Sequence, residues 1–186
     1  MSADAIVTPR WEVAVSGTPS FADAAASEPV RGAVFRYLLY RTGRREVAED
    51  LFQETYLRAL GEWGRFDPGR GSVTRWLLLI ARRTLIDRAR SERAREAREV
   101  EYAREQRALG GDAAPGPAEP RGVPEPLRAA LTGLGETERE VVVLRVVVGM
   151  DTAEAAQLAG ISPSNCSTIL SRAVAKLRRE VGDALS

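Results

Sequence analysis

The chain has no histidine and only one cysteine, Cys166, in 186 residues. Without histidine and with a single thiol, a conventional zinc site has no ligand set, and an internal disulfide framework is impossible. No apolar run approaches the length needed to span a bilayer. The longest are Trp76–Ala81 and Val141–Val148, and Arg145 interrupts the second. The N-terminus shows no basic start followed by an apolar stretch, so no secretory signal is expected and the chain reads as cytoplasmic. No glycine-rich phosphate loop of the usual spacing is present. With no histidine and a cysteine expected in the core, an enzyme is disfavoured, and no cofactor or metal is expected.

Net charge is also nearly absent, at +1, which by itself would not suggest a nucleic-acid binder. Its distribution says more. Residues 1–30 carry Asp4, Glu12, Asp23 and Glu28 against Arg10 alone. Residues 72–91 carry Arg75, Arg82, Arg83, Arg88 and Arg90 against Asp87 alone, a concentrated positive stretch that the average hides.

Composition divides the chain into four parts. Residues 1–28, rich in Ala, Ser, Thr and Pro with scattered acids, read as a mobile arm. Residues 29–107 carry helical periodicity. Val30, Val34 and Leu38 lie on one stripe with Tyr37 beside it, and Gly43 supplies the helix end. A second helix fits Arg45 to Glu62, with Val47, Leu51, Phe52, Thr55 and Ala59 on one face. Gly61, Gly64, Pro68, Gly69 and Gly71 then make a loop. Ser72 caps a third helix through Trp76, Leu79, Ile80, Arg83 and Asp87, continued by a charged Arg/Glu string to Arg107. Asp87 is expected to pair with Arg83 or Arg90 on its own helix.

Residues 108–126 are so rich in Pro and Gly that they read as a flexible linker with no helix or strand. Residues 127–186 form the last part. The valine run Val141–Val148 would suit a buried strand on propensity. The helical start at Glu136–Glu140, and the lack of a partner strand, favour a helix instead. Asp151-Thr152-Ala153-Glu154 resembles a capping box, Gly160 stops that helix, and Ile161 fills the turn. Ser162-Pro163 opens the last helix, whose inner face carries Cys166, Leu170, Ala173 and Leu177. The fold class that follows is all-α: two small helical domains joined by a flexible linker, the second with a helix-turn-helix.

Three segments then carry a family resemblance: Ala48-Glu49-Asp50-Leu51-Phe52-Gln53-Glu54-Thr55-Tyr56-Leu57-Arg58-Ala59-Leu60, Arg65-Phe66-Asp67-Pro68 and Trp76-Leu77-Leu78-Leu79-Ile80-Ala81-Arg82. With the helix-turn-helix from Asp151 to Arg179, they make the chain similar, from Val30 to Val181, to bacterial sigma factors of the extracytoplasmic-function (ECF) type. The resemblance implies an alternative sigma factor that binds core RNA polymerase and directs promoter recognition, DNA melting and transcription initiation. In such proteins an anti-sigma factor is a common further partner, though nothing in the sequence identifies one. The linker would thread toward the polymerase active site.

Asp50, Gln53, Glu54, Leu57 and Arg58 recur every three or four residues and can form one mixed stripe. Apolar area supplies affinity there and charge fixes register, which suits docking on a helix; the family's partner is a coiled coil of the large polymerase subunit. The alternative is a solvated helix face.

For the melted −10 promoter element, the resemblance points to Arg65, Phe66, Arg70, Ser72, Arg75, Trp76, Arg82, Arg83, Arg88 and Arg90. Arginines meet phosphates, and Gly69 and Gly71 let the backbone approach a splayed base. Phe66 and Trp76 read first as core and second as stacking platforms. Arg83 stands where relatives typically carry Asn, which favours a phosphate contact over base readout.

For the duplex −35 element, the outward candidates are Ser162, Ser164, Asn165, Ser167, Thr168, Arg172 and Lys176. Ser167 and Ile169 stand where relatives often have Lys and Arg, so binding by this domain is expected to be weaker and less salt-dependent. Ile169 either touches a thymine methyl or packs inward. Cys166 sits at a position usually filled by a buried Val and reads as a small core residue. The competing reading is a stand-alone helix-turn-helix regulator, which would bind duplex DNA without polymerase.

Overall fold

The computed structural model describes residues 20–107 and 123–184, and among them it contains helices and no strand. Helix α1 spans Phe21–Ala25, α2 Glu28–Thr42, α3 Arg45–Glu62 and α4 Val73–Arg107. Two short 3₁₀ turns, Trp63–Arg65 and Pro68–Arg70, connect α3 to α4. Then follow α5 Glu125–Thr132, α6 Glu136–Val142, α7 Thr152–Ala159 and α8 Pro163–Ala184. A π-helical turn, Val143–Val148, extends α6.

The boundaries follow from local chemistry. Gly43 ends α2 in the left-handed region at φ 69°, its N–H donating to the Leu39 carbonyl at 2.8 Å. Ser72 Oγ accepts from Arg75 N at 3.2 Å and opens α4. Asp151 accepts from Glu154 N at 2.8 Å, Gly160 closes α7 at φ 74°, and Ser162 accepts from Asn165 N at 3.2 Å. On α3 the buried residues Ala48, Leu51, Thr55 and Ala59 recur at helical spacing. Thr55 and Thr84 are fully buried, and each hydroxyl donates to the carbonyl four residues back, Leu51 at 2.6 Å and Ile80 at 3.0 Å.

Helices α2, α3 and α4 pack on one another, and α5, α6 and α7 pack around α8. The two groups are not separate cores. Val34, Tyr37, Leu38, Leu77 and Leu78 from the first half and Val143, Leu144, Met150 and Ala155 from the second belong to one continuous buried cluster. Each Val, Leu or Met side chain among them, fully buried, contributes about 1.5–3 kcal/mol relative to exposure. A smaller cluster of Leu131, Leu134, Val142 and Ala173 ties α5 and α6 to α8.

Four local expectations change. The composition implies a mobile arm to residue 28, yet Phe21–Ala25 are helical: Ser20 caps them, Ala25 is fully buried, and the Tyr56 hydroxyl donates to the Ala25 carbonyl at 3.0 Å. Residues 1–19 lie outside the described residues. The composition implies a linker to Pro126, but α5 begins at Glu125 with Pro126 in its first turn, where the missing N–H costs nothing; residues 108–122 lie outside the described residues. The valine run is helical as expected but passes through a π turn, which leaves Val146 61% exposed while Val143 and Leu144 are buried. The fourth change concerns Asp87 and appears with the site below.

Candidate polymerase and promoter interfaces

The outer face of α3 is less polar than its solvent exposure would suggest. Asp50, Gln53 and Leu57 point outward, and Leu57 is 71% exposed. Leu60, 53% exposed, sits one turn further along. Phe21 and Tyr56 join Gln53, Leu57 and Leu60 in lining an open groove of about 450 Å³. Leu60 was not among the sequence candidates. Its signal was available, since two leucines three apart flank the buried Ala59 on a helix whose inner face is already complete.

The charged members of the stripe are ion-paired, and Glu54 and Arg58 are only half exposed. Glu54 pairs with Arg58 at 2.6 Å, Arg58 reaches Asp87 on α4 at 2.8 Å, and Arg88 lies 3.5 Å from Asp50. The hydrogen bond that Arg58 donates to Asp87 is the chief reason its guanidinium holds its proton more tightly than usual. The Arg58–Asp87 and Arg88–Asp50 pairs fix α3 against α4. Asp87 therefore pairs across the helix seam and not with Arg83 or Arg90, because the α3–α4 packing sets Arg58 beside it.

The loop between α3 and α4 is held in one shape. Asp67 Oδ1 accepts from Gly69 N at 2.9 Å, and Arg75 donates to the Arg70 carbonyl. Gly71 adopts φ 138°, a backbone conformation that L side chains rarely take, which favours glycine there. Phe66 stacks on Trp63 with centroids 4.8 Å apart, and Trp76 meets both rings at 5.7 and 5.5 Å. The outer edges of Phe66 and Trp76, with Arg65, Arg70, Arg75 and Arg83, border a cleft of about 320 Å³. Arg65, Arg70, Arg83 and Arg90 are exposed and make no ion pair among the described residues. Arg88 is committed to Asp50 and Glu92. Arg82 turns away, its Nε 3.4 Å from Glu140.

In the helix-turn-helix, Ser162, Ser164, Asn165, Ser167, Thr168 and Arg172 are exposed on α8. The Ser167 and Thr168 hydroxyls donate to the Pro163 and Ser164 carbonyls at 3.2 and 3.1 Å. Lys176 donates to the Gly133 carbonyl at 2.6 Å and so steadies the α5–α6 turn. Ile169 is half-buried and packs against the core, the inward of its two readings. Cys166 is fully buried, and burial pushes its thiol pKa up, away from reactive thiolate chemistry.

A groove-bearing helix, an arginine-bordered cleft and a helix-turn-helix therefore occur in chain order on one molecule. Residues 28–95 match the family model for Sigma-70 region 2, and residues 125–177 match that for Sigma-70 region 4. The chain is 34% identical over 165 residues to the RNA polymerase sigma factor CarQ of Myxococcus xanthus, covering 88% of this chain and 90% of CarQ. It belongs to the ECF RNA polymerase sigma factors.

Two further relatives agree. The ECF sigma factor BldN of Streptomyces coelicolor is 34% identical over 161 residues, 81% of this chain but 56% of BldN. The ECF sigma factor SigX of Bacillus subtilis is 30% identical over 155 residues, 80% of this chain and 77% of SigX. The fold matches that of RpoE in a co-crystal with the anti-sigma factor NepR from Bartonella quintana, with a TM-score of 0.64 at 24% identity over 82% of this chain and 92% of that one. It also matches CnrH in complex with the cytosolic domain of CnrY, at 0.57 and 24% over 90% of each chain. The chain is thus an alternative sigma factor directing promoter recognition with RNA polymerase. Among the described residues no helix of this sigma factor is long and apolar enough to cross a membrane, and no cluster of acidic, histidine or cysteine side chains is arranged to hold a metal.

Proposed function

We propose that this sigma factor docks on core RNA polymerase through the outer face of α3, with Gln53, Leu57 and Leu60 as the contact and Asp50, Glu54 and Arg58, already ion-paired within α3 and to α4, as its charged rim. The observation that carries this reading is the exposure of Leu57 and Leu60, 71% and 53%, on a helix whose opposite face is fully packed. An apolar pair of that size rimmed by charge suits burial against a partner helix.

The cleft beside Gly71 would receive a base from the melted −10 element. Arg65, Arg70 and Arg83 would hold its phosphates, and the edges of Phe66 and Trp76 would offer apolar surface. The exposed Asn165, Ser164 and Thr168 would read the duplex −35 element in the major groove, with Arg172 on a phosphate. On this reading residues 29–107 and 127–186 act as two separable DNA-reading units. The protein works beside polymerase in the cytoplasm without catalysing a reaction itself. The anti-sigma partners of the structural neighbours make such a protein a candidate partner here.

The test is gel filtration of the purified chain with bacterial core RNA polymerase. Co-elution at submicromolar concentration is the expected result. A competent core enzyme left unbound, with the chain binding duplex DNA alone, would favour a stand-alone regulator.

A further inference from the structure

The groove on α3 has the start of the fold as one of its walls. Ser20 caps α1, and Phe21 on α1 sets its ring edge-on to Tyr56 at 6.0 Å and to Trp63 at 5.3 Å. The Tyr56 hydroxyl donates to the Ala25 carbonyl at 3.0 Å and pins α1 there. Phe52 and Tyr56, with ring centroids 4.5 Å apart, line the floor, and Leu57 and Leu60 stand exposed at the rim. The chain therefore enters its fold at the groove, and whatever precedes Ser20 leaves directly beside it.

The residues before Ser20 carry matching chemistry. Residues 1–19, outside the described residues, include Ile6, Val7, Trp11, Val13 and Val15. From position 11 to position 20 the chain reaches at most about 30 Å. The stretch of α3 from Gln53 to Leu60 spans only roughly 10 Å at the helical rise, so Trp11 has ample reach. Glu12, next to Trp11, complements Arg31, which lines the groove, is exposed and makes no ion pair among the described residues. The Arg31 guanidinium lies 5.9 Å from the centre of the Phe52 ring, at the groove floor. Tryptophan is enriched among the side chains that anchor such contacts. Attachment beside the site supplies the rest: a tethered segment is present at a local concentration on the order of millimolar, so even a weak contact is substantially occupied.

We propose that residues 1–19 occupy this groove in the free protein, with Trp11 seated against Leu57 and Leu60, and that core polymerase has to displace them to reach α3. The first half concerns this chain alone. The second rests on the α3 docking reading, and the test separates the two. Displacement weakens polymerase binding by the fraction of molecules whose groove is uncovered. With the groove covered in about four molecules of five, the apparent dissociation constant rises about fivefold.

With p-benzoylphenylalanine in place of Trp11 in the full chain, irradiation should cross-link position 11 to residues of the 53–60 stretch, mapped by digestion and mass spectrometry. The product should be monomeric, its yield unchanged by dilution, and excess core polymerase should suppress it. Cross-links confined to other regions, or a cross-linked dimer showing a second copy as the occupant, would overturn the proposal. The full-length triple variant Trp11→Ser, Val13→Ser, Val15→Ser leaves every described residue in place and should retain helical circular dichroism. It should bind core polymerase about three- to fivefold more tightly, because nothing has to be displaced. The same three substitutions should give no gain in a Leu57→Ala, Leu60→Ala chain, where the seat is already lost. Unchanged affinity in the folded triple variant, or a cross-link that persists in the polymerase complex, would overturn the competition. Failure of every form to co-elute with polymerase would sink the α3 docking reading and the competition with it, while the cross-link still decides what fills the groove.

Discussion

Leu57 and Leu60 contribute little to folding because their side chains stay largely in water. The double variant Leu57→Ala, Leu60→Ala should therefore shift stability by no more than about 0.5 kcal/mol per site. Its affinity for core polymerase should fall at least about tenfold, equivalent to roughly 1.4 kcal/mol. Thermal melting and a polymerase titration read the two quantities separately, and a large loss of stability would place the leucines in the fold instead. Gly71 has the opposite profile. At φ 138°, Gly71→Ala should cost about 1–3 kcal/mol and distort the loop over the cleft. Permanganate reactivity of promoter thymines should fall while upstream duplex binding is retained. Residue pairings across elements were the hardest to read from the sequence. Asp87 had same-helix arginines at suitable spacing, and only the packing of α3 on α4 reveals Arg58 as its partner.

At the scale of elements, the sequence was legible wherever a single residue has a local job. Gly43, Ser72, Asp151, Gly160 and Ser162 mark the ends they were expected to mark, because capping depends on the next three or four residues alone. Two helices escaped notice for a shared reason. Helix α1 is five residues long in an Ala-rich acidic context, and α5 begins among prolines, so neither carries a periodic signal strong enough to outweigh its composition. Tertiary burial of Ala25, Ala130 and Leu131 supplies what propensity lacks. Helix α7, only eight residues long, leans on its cap. Asp151→Ala should lower stability by about 1 kcal/mol, measured as a shifted urea midpoint at constant slope. A lowered slope would mean the helix-turn-helix is melting separately from the rest.

Across the whole molecule, helical content and the order of the two halves could be read from periodicity and from the Pro/Gly stretch. Their shared core could not. Val143, Leu144 and Met150 look like the interior of a self-contained domain, and nothing local marks them, or Glu140, as meeting α2 and α4. The acid range probes this junction. Burial pushes Glu136 upward, but the hydrogen bond and charge of Arg41 outweigh it, so its pKa is lowered. A lowered folded-state pKa gives stability that is full above the unfolded value, about 4.3, and is lost as pH falls through the folded value. The melting temperature should therefore decline below about pH 4, and Glu136→Gln should flatten that decline. An equal slope in both proteins would show that the pair does not couple to stability.

Helix α4 ends at Arg107 and the second half resumes at Val123. Covalent geometry limits the chain between them to a reach of about 55 Å. A tether of that length keeps the separated halves at a millimolar effective concentration of one another. Contact between the halves through Val34, Tyr37, Val143 and Leu144 is then unimolecular, so it should be unchanged by dilution and should not depend on how much of the protein a cell makes.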